Sequence, residues 1–144
     1  MTVLTLAQAQ TIVTAALAQA HAEKMKPLGI VVIDARGALK AVAIEDGSSL
    51  GREHIAKGKA NGAVAMAVGS RALMKMASER PHFVAAATHA IGGSMIPVPG
   101  GVLIRNAAGD ILGAVGVSGD TSDNDEKVAL TGIAAAGLVG DGGA

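Results

Sequence analysis

The alternation of apolar and polar positions divides the chain into helical and extended stretches. Over residues 5–25, Leu6, Ala9, Val13, Ala16, Leu17 and Ala20 recur at the three-and-four spacing of one helix face. Thr5 ahead of this stripe and Gln8 three positions later form a capping box. Lys24 and Lys26 place positive charge where a helix C-terminus favours it, and Pro27 and Gly29 stop the segment. Gly29–Asp34 carries the β-branched run Ile30, Val31, Val32, Ile33 and predicts a buried strand. Ala38–Glu45 predicts a second strand, and the short Ala35-Arg36-Gly37 connection makes the two an antiparallel hairpin.

Asp46 to Ser49 reads as a loop. Arg52–Val68 reads as a second helix with Ile55, Ala56, Ala60, Ala63 and Ala67 towards the core. Gly58 and Gly62 lie inside it, each costing about 1 kcal/mol relative to Ala, which points to close packing against a neighbour. Short helices follow over Ser70–Ser78 and Phe83–Ile91, with Pro81 between them. Gly92–Gly101 is a loop. Val102–Arg105 and Ile111–Ser118 are strands around a turn at Asn106–Asp110. The last helix is expected over Ser122–Leu138, capped by Ser122, with Asp123, Asp125 and Glu126 in its first turn, and Gly140–Ala144 as a frayed tail. This order predicts an α+β fold, a small antiparallel sheet with helices packed on it, as one domain over residues 1–144.

Composition narrows the function. Of the 144 residues, 50% are hydrophobic and 17% charged, and the formal net charge is zero, which excludes a disordered chain and leaves no basic excess to neutralise phosphates. With one Phe, no Trp and no Tyr, there is no stacking platform for single-stranded nucleic acid. The lack of cysteine excludes disulfides, thiol chemistry and Cys-ligated metal. No apolar run approaches the length of a membrane span and the first ten residues do not read as a signal peptide, so the expected location is cytoplasmic, with neither membrane nor nucleic acid as partner. The 30 Ala and 20 Gly supply little area each, so a chain of this kind gains by burying more surface in a homo-oligomer.

The most distinctive pattern is Gly113-Ala-Val-Gly-Val-Ser-Gly119 ahead of the acidic helix start. A strand entering a helix through a glycine turn can present free N–H groups to an anion. No Lys-Ser/Thr pair follows, and Asp123, Asp125 and Glu126 would repel a phosphate, so the segment reads as a strand running into a capped helix. Gly116-Val-Ser118-Gly119 lacks the nucleophile-elbow spacing. His82 and His89 are seven apart, too far for the i, i+4 zinc pair, and no metal site is expected. One acid/base set is available: His54 or His89 as base, Arg105 and Lys59 as oxyanion stabilisers, and Glu45, Asp46 or Glu126 as orienting carboxylates.

Gly100-Gly-Val-Leu-Ile-Arg105, Gly113-Ala-Val-Gly-Val-Ser-Gly119 and Asp125-Glu126-Lys-Val-Ala129 together resemble the C-terminal signature of the GlcG/HbpS family. Asp46-Gly47 followed by Ile55-Ala56-Lys57-Gly58-Lys59-Ala60 is similar to the family's middle motif, and Thr5–Ala20 to its opening helix. Ser48, Asn61-Gly62 and Leu103 depart from the pattern. The resemblance implies a profilin-like, three-layer domain with an antiparallel sheet of about five strands, assembled as a homo-oligomer. It also implies a small-molecule ligand, with haem or a related tetrapyrrole as the leading choice. On this reading His21, Asp46, Lys59, Gly100, Gly101 and Gly119 are the cofactor-contacting candidates, and Met66, Met74, Met76 and Met95 could stand in for missing aromatic walls. The alternative is a cofactor-independent lyase, isomerase or hydrolase acting on a carboxylated metabolite, with His54, His89, Arg105 and Glu126 as its catalytic residues. A third reading is a structural or regulatory partner protein.

Overall fold

A computed structural model describes residues 3–144. The elements run α1 (Leu6–Ala22), β1 (Gly29–Asp34), β2 (Leu39–Ile44), α2 (Arg52–Met66), α3 (Ser70–Glu79), α4 (Pro81–Ala90), β3 (Gly101–Arg105), β4 (Ile111–Ser118), α5 (Ser122–Ala135) and β5 (Val139–Asp141). The strands form one open sheet of order β2-β1-β4-β3-β5, antiparallel throughout. Helices α1 and α5 pack together against one face, α2 covers β1, β4 and β3 on the other, and α3 and α4 form a satellite beyond α2. This is the three-layer α+β arrangement with five antiparallel strands.

The residue pattern explains both layers. In β1, Ile30 and Val32 enter the core under α1 and α5 while Val31 and Ile33 enter the core under α2, so the strand is apolar without alternation. In β4 the two faces differ in size. Val115 and Val117 fill the α1–α5 side, whereas Ala114 faces α2. Gly116, two residues on from Ala114, shares that face. A Cβ at Gly116 would stand 1.8 Å from the carbonyl oxygen of Ala56. The alternation of small and large residues in Gly113–Gly119 thus sets how closely α2 approaches the sheet, and Ala56, Ala60 and Ala63 supply the matching thin face of the helix.

Local signals carry the helix starts. The Thr5–Gln8 capping box is formed as expected, with the Thr5 hydroxyl accepting from the Gln8 N–H and the Gln8 amide oxygen accepting from the Thr5 N–H. The cap of α5 is Thr121, not Ser122: its hydroxyl accepts from the Asn124 N–H. Helix α4 begins two residues earlier than its apolar pattern suggested, because Pro81 occupies its first turn, where the missing N–H costs nothing. On α1 the buried face includes Ile12, while Leu6 is exposed. The C-terminal tail also differs from expectation: Val139–Asp141 pair with Arg105–Leu103 of β3 as a fifth strand, and the Arg105 guanidinium donates to Asp141 at 3.0 Å.

Candidate functional site

Two surface grooves carry unspent chemistry. The first lies between α1 and the edge strand β2. It encloses about 500 Å³ and is lined by Leu6, Gln10, Val13 and Thr14 of α1 and by Lys40, Ala41 and Val42 of β2. His21 stands on the same helix two turns beyond Thr14 and is exposed. Its Nε2 lies 2.6 Å from one carboxylate oxygen of Glu45, while the other oxygen of Glu45 accepts from the Leu28 N–H at 2.9 Å. Glu45 is therefore tied to the backbone and fixes the imidazole, leaving Nδ1 outside this contact.

The second groove runs along the outer face of α2. It encloses about 520 Å³ between His54, Ile55, Lys57, Gly58 and Asn61 on the helix and Gly92–Ile96 on the loop after α4. The loop can sit on the helix because Gly58 and Gly62 have no side chains: a Cβ there would stand 2.5 Å from Ile96 Cγ1 and 2.8 Å from Met95 Cγ, respectively. The Ile96 N–H donates to the Gly58 carbonyl, and the Asn61 amide donates to the Ser94 hydroxyl at 3.0 Å. Gly58 thus forms part of the floor of the groove and Gly62 lets Met95 approach the helix, which is the close packing their position predicted.

The remaining sequence candidates lie elsewhere. Lys59 is buried: its Nζ donates to the Val117 carbonyl at 2.8 Å and to Asp125 at 3.2 Å, and Asp125 also accepts from the Asp120 N–H. Burial pulls the Lys59 amine down from its ordinary value and pushes the Asp125 carboxyl up, and each partner opposes the other's shift. Gly100 and Gly101 pack on this lysine. Gly100 has φ +123 and a Cβ there would stand 2.8 Å from Lys59 Nζ, while Gly101 donates its N–H to the buried Ser70 hydroxyl. Gly119 packs on Pro27 and Leu28. Ser118 is buried and accepts from the Arg52 guanidinium at 2.9 Å. The Arg105 guanidinium is engaged by Asp141 and the Gly109 carbonyl, and Glu126 by Arg71. Asp46 is exposed after β2, and His89 is exposed at the end of α4. Of the four residues expected to be catalytic, His54 lines the α2 groove, while Arg105 and Glu126 hold neighbouring elements together.

The sequence points to His21 and His54 but not to the groove walls on the facing elements. Those walls come from distant segments: Lys40 and Val42 opposite α1, Ser94 and Ile96 opposite α2. One signal was available, since His54, Lys57, Asn61 and Ala65 recur at the spacing of a single helix face. Among the described residues no group of three or more His, Asp or Glu could hold a metal ion, and no helix is long and apolar enough to cross a membrane.

Comparison with known proteins agrees with this architecture. A sequence model of the family described as "Haem degrading protein HbpS-like" matches residues 4–134. Among solved structures, a PduOC:heme complex superposes with a TM-score of 0.84 at 23% identity, covering 95% of this chain and 97% of that one. The Klebsiella pneumoniae protein ORFY does so with 0.81 at 24% identity, covering 93% and 90%. HbpS gives 0.79 at 24% identity over the same shares. At these identities the likeness is one of fold. No curated protein matches the chain in sequence.

Proposed function

Because this chain belongs to the HbpS-like family, we propose that it is a small-molecule binding protein whose ligand is haem or a related tetrapyrrole, held at the groove between α1 and β2. The support from relatives is the family description and the superposition on a haem complex. The observation that carries the reading is local: an open groove and, two turns further along its helix wall, an exposed imidazole oriented by a backbone-anchored carboxylate.

The residues present fit the group. His21 offers a nitrogen of the type that ligates haem iron, and its contact with Glu45 is the outer-shell carboxylate that such histidines commonly keep. Leu6 and Val13 supply apolar wall, and Lys40 supplies a cation for a propionate. Bound haem would bring iron-centred redox and ligand-binding chemistry, with its potential set by axial ligand and burial. The chain's own part is to hold the imidazole, line one face of the macrocycle and exclude water from it. The groove is open on its outer side, so self-association across the β2 edge completes the reading by covering the other face.

A haemin titration followed at the Soret band tests this. Saturable binding is expected, at one haem per chain or per pair of chains. His21→Ala should weaken it about tenfold or more, roughly 1.4 kcal/mol, while His89→Ala leaves it unchanged. A linear, unsaturable rise, or equal binding by His21→Ala, overturns the assignment.

A further inference from the structure

The α2 groove is built from different elements than the α1–β2 groove, and its chemistry differs. His54 and Lys57 are one turn apart on the same helix face and line it together. Neither enters an ion pair among the described residues. No Asp or Glu lines the groove, in a chain whose positive and negative side chains balance at 12 each. An unopposed pair of basic side chains at one end of a cavity, without a carboxylate to repel an incoming anion, is a local excess that the composition does not require.

The body of the groove is of another kind. Ile55, Met95 and Ile96 form its wall, and the Asn61–Ser94 hydrogen bond separates it from a second hollow of about 440 Å³ that holds Arg36 beside Val64 and Ile91. From His54 to Asn61 the helix advances roughly 10 Å. Within the groove itself the features are therefore a basic pair, His54 and Lys57, an apolar wall of Ile55, Met95 and Ile96, and a polar rung, Asn61–Ser94, that bounds it.

We propose that this groove is a second binding site, distinct from the tetrapyrrole groove, for a small carboxylate with an apolar body. The carboxylate sits between His54 and Lys57, and the body lies along Ile55, Met95 and Ile96. Gly58 and Gly62 serve the site indirectly, as positioning residues that let the Met95–Ile96 segment rest on the helix. The ligand approaches from solvent without displacing any side chain from an existing ion pair. The Asn61 amide, already engaged by Ser94, bounds the site at its far end.

The test uses octanoate, octanol and octylamine as probes of one chain length and three head groups, added to the full chain without haem and followed by backbone amide shifts in NMR. Octanoate should saturate and move the amides of residues 57–61 and 92–96, while octanol and octylamine bind at least about tenfold more weakly. Lys57→Glu should weaken octanoate about tenfold or more, and Lys75→Glu, the same charge change on the exposed face of α3, should leave it unchanged. Lys57→Gln provides the same comparison if the Glu variant folds poorly. Equal binding of the three probes, an unaltered affinity in the Lys57 variants, shifts confined to the α1–β2 groove, or no saturation by octanoate up to the millimolar range would each overturn the proposal. Because the readout needs no haem, failure here leaves the tetrapyrrole reading standing, and the reverse also holds.

Discussion

Lys59 shows how a residue rich in chemistry can be committed to structure. Its ammonium has two partners in the interior, a β4 carbonyl and the Asp125 carboxylate of α5, so it links α2 to both. Removing one member of a buried pair leaves an uncompensated charge, whereas replacing both with apolar residues of similar size can be neutral. Lys59→Met should therefore cost about 3–5 kcal/mol in urea unfolding, and Lys59→Met with Asp125→Leu should recover most of it. Equal losses in the single and double variants would sink this account. Asp120 acts at the opposite end of the pH scale. Hydrogen bonds from the Asn124 amide and from the Lys26 and Thr121 N–H groups hold its carboxyl below its ordinary value of 3.8. The folded chain therefore releases this proton more readily than the unfolded chain. The stability this adds is complete above the ordinary Asp range and disappears as pH falls through the lower folded value. Asp120→Asn should flatten the acid limb of stability measured between pH 5 and pH 2, and an unchanged limb would place the acid sensitivity elsewhere.

Between elements, the decisive feature is the closeness of α2 to β4. Gly116→Ala introduces a methyl into a space already filled by the Ala56 carbonyl, so the helix must move or the strand must buckle. The expected loss is about 1–3 kcal/mol, seen as a lower unfolding midpoint, and it should exceed the loss from Gly51→Ala, where the added methyl meets no neighbour within 4 Å. A smaller loss at Gly116 than at Gly51 would show that the contact is slack. The same contact shows what could be read from residues alone. The opening capping box was legible because both partners lie within four residues, and the β1 strand because an unbroken β-branched run has few other uses. The small–large alternation of β4 was visible as a glycine-rich motif, but its purpose depends on Ala56, some sixty residues earlier in the chain, and so emerged only with the fold. Gly140 and Asp141 of β5 fell within the expected frayed tail because a three-residue segment with a central Gly carries no local preference for a strand. Pairing with β3 and the Arg105–Asp141 ion pair order it. The cap of α5 was misplaced by one residue because Thr121 and Ser122 are chemically alike. For the grooves, the helix-borne residues were legible and the opposing walls were not.

At the scale of the whole molecule, the sheet has two unlike edges. β5 is three residues long, too short to template pairing. β2 is twice that length, and among the described residues no strand pairs with its outer edge, while α1 packs on one face of it. Leu39, Val42 and Ile44 are exposed on it, and Leu50, in the following loop, is 92% exposed. A long apolar edge is a template for a second strand, and natural chains that remain monomeric usually protect such an edge with charge, proline or a covering helix. Only Lys40 provides charge within β2. Association through this edge would bring a second chain to the mouth of the α1–β2 groove, so oligomerisation and tetrapyrrole binding should be coupled, while the α2 groove should be indifferent to both. Leu39→Lys combined with Ile44→Lys, neither of which lines the groove, tests that coupling. Sedimentation should shift from oligomer to monomer, with haemin binding weakened at the same time, whereas His21→Ala should weaken haemin binding and leave the sedimenting species unchanged. A doubly substituted chain that sediments like the wild type would move the interface away from β2. One that becomes monomeric yet binds haemin normally would show that a single chain suffices to hold the ligand and that the open side of the groove needs no partner.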